Sequence, residues 1–302
     1  MKSLFVTVGV MLLWLGPLFA LNGIAGLARR WFHSSKRRNP LTSGLLRGPG
    51  HTLREQLDDA RLDMMGYVSI SSAMPLFAAT VYLAMREAGV SNAPQWWFFS
   101  LLGLGAFVFG AYKIVRLVEK ARNLRLGLEA ETAVGEELNL LMKQGFSVFH
   151  DIPGDKAFNV DHVVVGPNGV FSVETKGRAK LATKGDKSAY TVELRDERLH
   201  FPDWASAEPL DQAKRNADWL RKWLTSAVGE PVSVKPVLVF PGWMVDRKGK
   251  SDVAVISGKE CLSYFPKTKS AALSPKLIQQ IAHQLDARCR DVEPTTYKPL
   301  KD

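Results

Sequence analysis

The chain has 302 residues, of which 46% are hydrophobic and 23% charged, and its formal net charge is +10. This length allows one large domain or two of moderate size. The two cysteines, Cys261 and Cys289, lie far apart and lack CxxC or His spacing. That pattern excludes a disulfide framework and a cysteine zinc site, and it predicts free thiols in a reducing compartment.

The positive charge is unevenly distributed along the chain. Residues 1–117 contain 12 Lys/Arg and 5 Asp/Glu, whereas residues 118–302 contain 28 and 25. Most of the excess therefore lies beside apolar segments, where it suits the inner face of a membrane. For this reason the net charge is weak evidence of nucleic-acid binding.

Three apolar segments predict about three transmembrane helices in residues 1–117, at about 4–28, 64–85 and 96–115. A helix of this length can cross a hydrocarbon core of about 30 Å. Two alternatives stay open. The first segment could be a cleaved secretory signal, and the other two could form a buried helical hairpin. The scarcity of polar residues around the last two segments favours the membrane.

Basic residues beside these segments predict their orientation. One basic cluster follows the first segment and another follows the third, whereas the loop between the second and third carries one Arg and one Glu. The two clusters are Arg29, Arg30, Lys36, Arg37 and Arg38, then Lys113, Arg116, Lys120, Arg122 and Arg125. Such clusters stay on the cytoplasmic side. We expect a cell (inner) membrane protein with its N-terminus outside and everything after about residue 113 in the cytoplasm.

The pattern of a soluble domain begins at about residue 118 and continues to 290. "LGLEAETAVGEELNLLMKQG" predicts a helix that ends at Gly145. The order α-β-β-β-(β)-α-β-β-α then predicts an α/β domain with a mixed central sheet flanked by helices. Residues 176–201 are expected to supply a loop and further edge strands, and residues 291–302 a disordered tail.

Within this domain, "NVDHVVVGPNGVFSVETKG" (159–177) predicts a β-hairpin with unusual charges. If Gly166 and Gly169 flank a two-residue turn, Asp161 faces Glu174, and Lys176 shares their face. A three-residue turn with a bulge would shift this register.

Two opposed carboxylates repel each other and destabilise an apolar hairpin unless something compensates for them. A hard divalent cation such as Mg²⁺ would do so, because it binds one or two carboxylates and keeps waters for a phosphate. Lys176 could then stabilise charge on phosphorus. The alternative is a solvated E-x-K pair on a strand surface, with Asp161 capping the strand.

Glu131 is a further candidate acid on the preceding helix. It shares an inward stripe with Val134, Leu138 and Leu141, so it needs a partner there, and a metal ion would supply one. The alternative is a first-turn glutamate that interacts with the helix dipole.

The segments "GLEAETAVGEELNLL", "FHDIP", "NVDHVVVGPNGVFSVETKG" and "PLDQAKRNADWL" resemble, in order and spacing, the nuclease-related domain (NERD) family. That family is assigned to the PD-(D/E)xK, restriction-endonuclease-like nucleases. The resemblance covers about residues 125–245 and implies a metal-dependent phosphodiesterase. It departs from the family at Ala130, where glycine is commoner. The roles it implies are metal ligands at Asp161, Glu174 and Glu131, a catalytic lysine at Lys176, and a catalytic glutamine at Gln212.

A basic strip follows the hairpin and suits contact with phosphates. Its members beyond Lys176 are Arg178, Lys180, Lys184 and Lys187, with Asp186 as a nearby acid. The alternative is an ordinary solvated loop. Trp204 could stack on bases, whereas the i, i+4 pair of Trp219 and Trp223 is more typical of a core.

These features favour a membrane-anchored, cytoplasm-facing nuclease that hydrolyses DNA, with RNA as the alternative, using Mg²⁺ or Mn²⁺. A second hypothesis is a catalytically silent nucleic-acid-binding or scaffolding module tethered to the membrane. A third is a membrane protein whose soluble domain senses a partner. Opposed acids favour the first hypothesis, since binding alone has no use for them.

Overall fold

The computed structural model describes residues 40–41, 43–89, 96–155, 158–181 and 187–294, together with Ile24 and Leu27. Apart from those two residues, the first apolar segment lies outside the described residues, as do Lys184, Asp186 and the tail from residue 295 onward. The described residues fall into two compact units. One is formed mainly by residues 58–122, and the other by residues 43–57 together with 123–294.

Two long helices contain the second and third apolar segments: α1 (His51–Glu87) and α2 (Trp96–Asn139). Among the described residues, two helices are long and apolar enough to cross a membrane by length and composition, the second being counted to Gln144. The two helices pack closely where Gly103 of α2 meets Pro75 of α1. A Cβ atom at Gly103 would lie 3.1 Å from the Cα of Pro75. The number of spans and their orientation stay predictions.

Helix α2 differs from the sequence prediction at its N-terminal end. The helix expected to start at about residue 126 is continuous with the third apolar segment, and one unbroken helix runs to Asn139. The change from apolar to charged residues does not end it, because residues 113–130 contain good helix formers and one glycine but no proline. A 3₁₀ turn (Leu140–Gln144) follows, and Gly145, at φ 84°, ends the segment as predicted.

The main sheet of the second unit is mixed and has five strands in the order β1-β2-β3-β7-β9. The strands are β1 (Ser147–Pro153), β2 (Asn159–Gly166), β3 (Gly169–Thr175), β7 (Val234–Phe240) and β9 (Ala254–Ser257). The first three pair antiparallel, whereas β3, β7 and β9 pair in parallel. The α/β class with a mixed sheet is therefore as predicted.

Helices cover both faces of this sheet, which explains the nearly continuous valine runs of β2 and β3. On one face, helices α3 (Glu208–Val228) and α5 (Pro275–Cys289) pack against a core that includes Val163 and Leu220. On the other face, the end of α2 and the short helix α4 (Cys261–Lys267) pack around Phe171. Cys261 and Cys289 are buried free thiols, as predicted.

The three strands that directly follow the hairpin belong to a second sheet and not to the edge of the first, which corrects the prediction. This sheet has the order β6-β5-β4-β8, with β4 (Thr191–Arg195), β5 (Arg198–His200), β6 (Ala205–Ser206) and β8 (Met244–Arg247). Strand β8 pairs in parallel with β4, after a turn at Gly242 with φ 79°. The second sheet buries its own core, which includes Val192, Leu199 and Phe201.

Candidate active site

The hairpin register agrees with the count made on the sequence. Gly166 pairs with Gly169, and the ladder continues in the same register to His162 and Val173. One step further along the same register places Asp161 opposite Glu174. Both side chains are buried, with 6% and 2% exposed. The two acids therefore lie at facing positions inside the protein and not on a solvated strand surface.

Lys176 connects the second acid of the hairpin to helix α3. Its Nζ donates hydrogen bonds to Oε1 of Glu174 at 2.9 Å and to Oε1 of Gln212 at 2.8 Å. Nδ2 of Asn216 donates to the other carboxylate oxygen of Glu174 at 2.8 Å. Gln212 and Asn216 are separated by four residues and therefore lie on the same face of α3. Asn216 was missed from the sequence, although its spacing from Gln212 was a usable signal.

Burial raises the pKa values of both hairpin acids, and the charge of Glu174 raises that of Asp161 further. The pKa of Asp161 is raised well above its ordinary value by burial and by the charges of Glu174 and Glu131, although its Oδ2 accepts a 2.7 Å hydrogen bond from the Thr175 main chain. Burial also raises the pKa of Glu174, against the opposing effect of Lys176. Such shifts are typical of functional sites, where like charges are held together.

Glu131 belongs to the same electrostatic cluster. It lies on α2, outside the apolar segment, and Val134, Leu138 and Leu141 on its stripe are buried as predicted. Burial, followed by the charges of Asp151 and Glu174, raises the pKa of Glu131 to about 8. Its Oε2 is buried and has no hydrogen-bond partner among the described residues.

The comparison with known families agrees with this geometry. Residues 126–241 match the family model of the nuclease-related domain. No curated protein and no solved structure matches the chain. The match includes all five residues predicted from the sequence as the catalytic set: Glu131, Asp161, Glu174, Lys176 and Gln212. It supports a nuclease-related function for this part of the chain.

Asp151 is a fourth buried acid in the matched segment, and it was not predicted from the sequence. It lies on β1 between His150 and Ile152, whose partners on β2 are His162 and Val160, so its register position is opposite Asp161. Its backbone has a left-handed φ of 51°. The signal in the sequence was an aspartate inside the apolar strand "VFHDIP".

Four donors surround Asp151, and two of the residues that supply them precede the matched family segment. Oδ2 accepts hydrogen bonds from Arg47 Nη1 at 3.0 Å, from Thr52 N at 2.9 Å and from Thr52 Oγ1 at 2.7 Å. Oδ1 accepts from Asn159 Nδ2. Arg47 also binds Asp291 through Nε and Nη2, at 2.7 and 2.9 Å.

We call residues 43–50 the N-terminal arm. Its Leu45 pairs through main-chain hydrogen bonds with Val292, which lies at the start of the predicted tail. A Cβ atom on Gly135 would clash with the side chain of Pro49, and one on Gly50 would lie 3.6 Å from Oε2 of Glu131. The arm is therefore packed directly against the helix that carries Glu131.

His150 and His162 lie near the acids but contact each other. Their Nδ1 atoms are 2.9 Å apart, and Nε2 of His150 contacts Oδ1 of Asn139 at 3.0 Å. Burial lowers the pKa of His150 to about 4 and that of His162 well below its ordinary value. His162 alternates onto the face opposite Asp161. The lowered pKa values keep the two histidines neutral.

The chemistry of the carboxylates fits a hard divalent cation. In the described ranges, no three His, Cys, Asp or Glu side chains form a recognisable metal-ligand group. Magnesium needs only one or two carboxylates, because water and substrate supply the other ligands. Burial disfavours the ionised forms of Asp161, Glu174 and Glu131, and Oε2 of Glu131 has no hydrogen-bond partner among the described residues. A bound cation would stabilise these ionised forms.

The predicted phosphate-binding residues lie after the hairpin. Arg178 and Lys180 are exposed on the segment that follows Lys176, and Lys187 is exposed in a 3₁₀ turn (Lys187–Tyr190). The location of these residues agrees with a surface role, and contact with nucleic acid stays a prediction.

Proposed function

We propose that this chain is a metal-dependent nuclease of the PD-(D/E)xK type. It would hydrolyse phosphodiester bonds of DNA, and RNA is the alternative substrate. The observation that carries the proposal is a lysine that donates hydrogen bonds to Glu174 and Gln212, beside buried acids whose pKa values are raised. A restriction-endonuclease-like fold is part of the proposal, and the five-stranded mixed sheet between helices supports it.

In this proposal, Asp161 and Glu174 hold Mg²⁺ or Mn²⁺, and Glu131 is the third acid of the site. A bound ion of this kind supplies Lewis acidity and lowers the pKa of water. The chain itself fixes the geometry. Asn216 holds one oxygen of Glu174, and the Thr175 main chain holds one oxygen of Asp161.

Lys176 provides the positive charge near the scissile phosphate. Its ammonium is held between Glu174 and Gln212, so its position is set before substrate arrives. A fixed cation in a partly buried site stabilises charge that develops on the phosphoryl oxygens more strongly than a mobile surface lysine would. Gln212 thus acts by positioning Lys176.

We also propose that the two apolar helices anchor this nuclease in the cell (inner) membrane with the site in the cytoplasm. The length and composition of α1 and α2 support association with a membrane. The basic clusters around the apolar segments support the orientation.

The deciding experiment compares the full chain in detergent with its Lys176→Ala variant on DNA, with Mg²⁺, with Mn²⁺ and with a chelator. We expect the unaltered chain to cleave only with metal, and Lys176→Ala to lose cleavage while keeping its circular dichroism spectrum. Lys222→Ala, at an exposed lysine of α3, is the matched control and should cleave normally. Equal cleavage by both lysine variants would refute the catalytic proposal, and DNA binding without any cleavage would favour the silent binding module.

A further inference from the structure

Two cation–aromatic pairs follow Lys176 along the chain. The guanidinium carbon of Arg178 lies 4.9 Å from the ring centroid of Trp204, and Nζ of Lys180 lies 5.3 Å from that of Tyr190. The two cations are the second and fourth residues after Lys176. The two rings lie next to strands of the second sheet. Trp204 comes just before β6 and Tyr190 just before β4. Arg178 and Lys180 therefore lie against aromatic side chains, although both are exposed.

Trp204 has a rigid support on one side. Its ring stacks on Phe201 with centroids 4.5 Å apart and an angle of 6° between the planes. Phe201 is buried and makes edge contacts with Phe240 and Trp243. Trp204 is nevertheless 38% exposed, so the core holds a large flat ring at the surface.

The basic segment is attached to the same support. Nε1 of Trp243 donates a 3.1 Å hydrogen bond to the main-chain oxygen of Arg178. A cavity of about 490 Å³ lies beside Trp243, and its lining also includes Lys180, Tyr190 and Lys259. The cavity is large enough for a nucleobase, and its wall carries two lysines and one carboxylate, that of Glu260.

We propose that Arg178, Lys180, Trp204 and Tyr190 form a binding track for unpaired nucleotides next to the cleavage site. The inference rests on the proposed nuclease function and narrows its substrate to single-stranded nucleic acid or to single-stranded ends and flaps. Each pair offers one cation for a phosphate and one flat ring for a base, and a single strand presents these two groups in every nucleotide. Bases in a duplex are stacked on each other and cannot reach such rings.

When a strand binds, a base replaces the cation that lies over each ring. Phe201 covers one side of Trp204 and Arg178 lies over the ring, so an arriving base takes the place of the guanidinium. Arg178 then binds the adjoining phosphate, where its charge pairs with a negative group. Lys180 and Tyr190 repeat this arrangement for the next nucleotide.

The test measures binding without cleavage, so that it is independent of catalysis. The full chain in detergent with a chelator is titrated into a labelled oligothymidylate or a hairpin duplex with the same number of phosphates, and fluorescence anisotropy is recorded. Trp204→Leu should weaken single-strand binding by roughly 5- to 150-fold, the range for one lost stacking contact. Trp204→Phe should retain most of the affinity, and duplex binding should change little in either variant.

Two controls separate stacking from charge and from folding. Phe158→Leu removes another exposed aromatic of the same unit, and Arg221→Ala removes an exposed arginine of α3; neither should affect single-strand binding selectively. Unchanged single-strand affinity in Trp204→Leu, or an equal loss for single strand and duplex, would overturn the track. If the track fails, metal-dependent cleavage lost in Lys176→Ala can still hold. If cleavage fails, the binding preference can still be observed.

Discussion

Replacing Glu131 with glutamine should make the free energy of unfolding less dependent on pH. Glu131 is buried, and its Oε2 has no hydrogen-bond partner among the described residues. Glutamine has nearly the same shape and no charge, so the substitution isolates the cost of the ionised carboxylate.

The magnitude follows from the pKa of Glu131, which burial and neighbouring acids raise from 4.5 to about 8. One pKa unit corresponds to about 1.4 kcal/mol, so ionising Glu131 costs the folded state on the order of 5 kcal/mol. Below pH 4.5 the side chain is protonated in both the folded and the unfolded chain, and no stability is lost. As the pH rises the unfolded chain releases this proton first, so stability falls progressively until the loss is complete above about pH 8.

The assay is urea unfolding of the full chain in detergent, followed by tryptophan fluorescence at pH 5 and at pH 8.5, without divalent metal. The unaltered protein should lose more stability between these values than Glu131→Gln, by several kcal/mol. Mg²⁺ or Mn²⁺ should reduce the difference at pH 8.5, because a cation offsets the charge. Glu136→Gln, at an exposed glutamate of the same helix, should follow the unaltered protein. Parallel pH profiles for the unaltered protein and Glu131→Gln would refute the reasoning.

Two further predictions concern residues that hold the acids in place. Arg47→Met should lower the free energy of unfolding by about 3 kcal/mol, because it removes a charged partner from the fully buried Asp151. Urea unfolding midpoints measure this loss, and the exposed control Arg290→Met should shift the midpoint little. Equal shifts in the two variants would contradict the prediction. Asn216→Leu leaves an oxygen of Glu174 without its donor and should weaken Mg²⁺ binding by roughly 10- to 100-fold. Calorimetric titration of the metal measures that loss, and unchanged affinity would show that Asn216 does not position a ligand.

The parts of the fold that were predictable depend on local patterns. A Gly-Pro-Asn-Gly turn fixes the hairpin register, and the register alone determines which side chains face each other. The stripe of Glu131 and Leu138 follows in the same way from helical spacing. Neither inference needs information from distant parts of the chain.

The parts that were missed depend on contacts between distant residues. Arg47 and Asp151 are separated by 104 positions, and no pattern in either segment identifies the other. The second sheet requires β8 to pair in parallel with β4 across more than forty residues, and composition alone cannot distinguish that sheet from an extended edge of the first. The continuity of α2 does not follow from the charge pattern, because a change from apolar to charged residues does not end a helix, whereas proline or a C-terminal capping residue commonly does.

Both long helices contribute residues to the candidate site, and this changes how the apolar segments should be understood. Helix α1 starts at His51, and in its first turn Thr52 binds Asp151 through its N–H and hydroxyl groups, where the helix dipole also favours a negative charge. Helix α2 carries Glu131. A fragment starting at residue 118 would keep the matched family segment and lose both Arg47 and Thr52, leaving the buried Asp151 with Asn159 as its remaining side-chain donor among the described residues. Asp151 and Glu131 thus depend on the same helices that contain the apolar segments, so catalysis must be tested on the full chain.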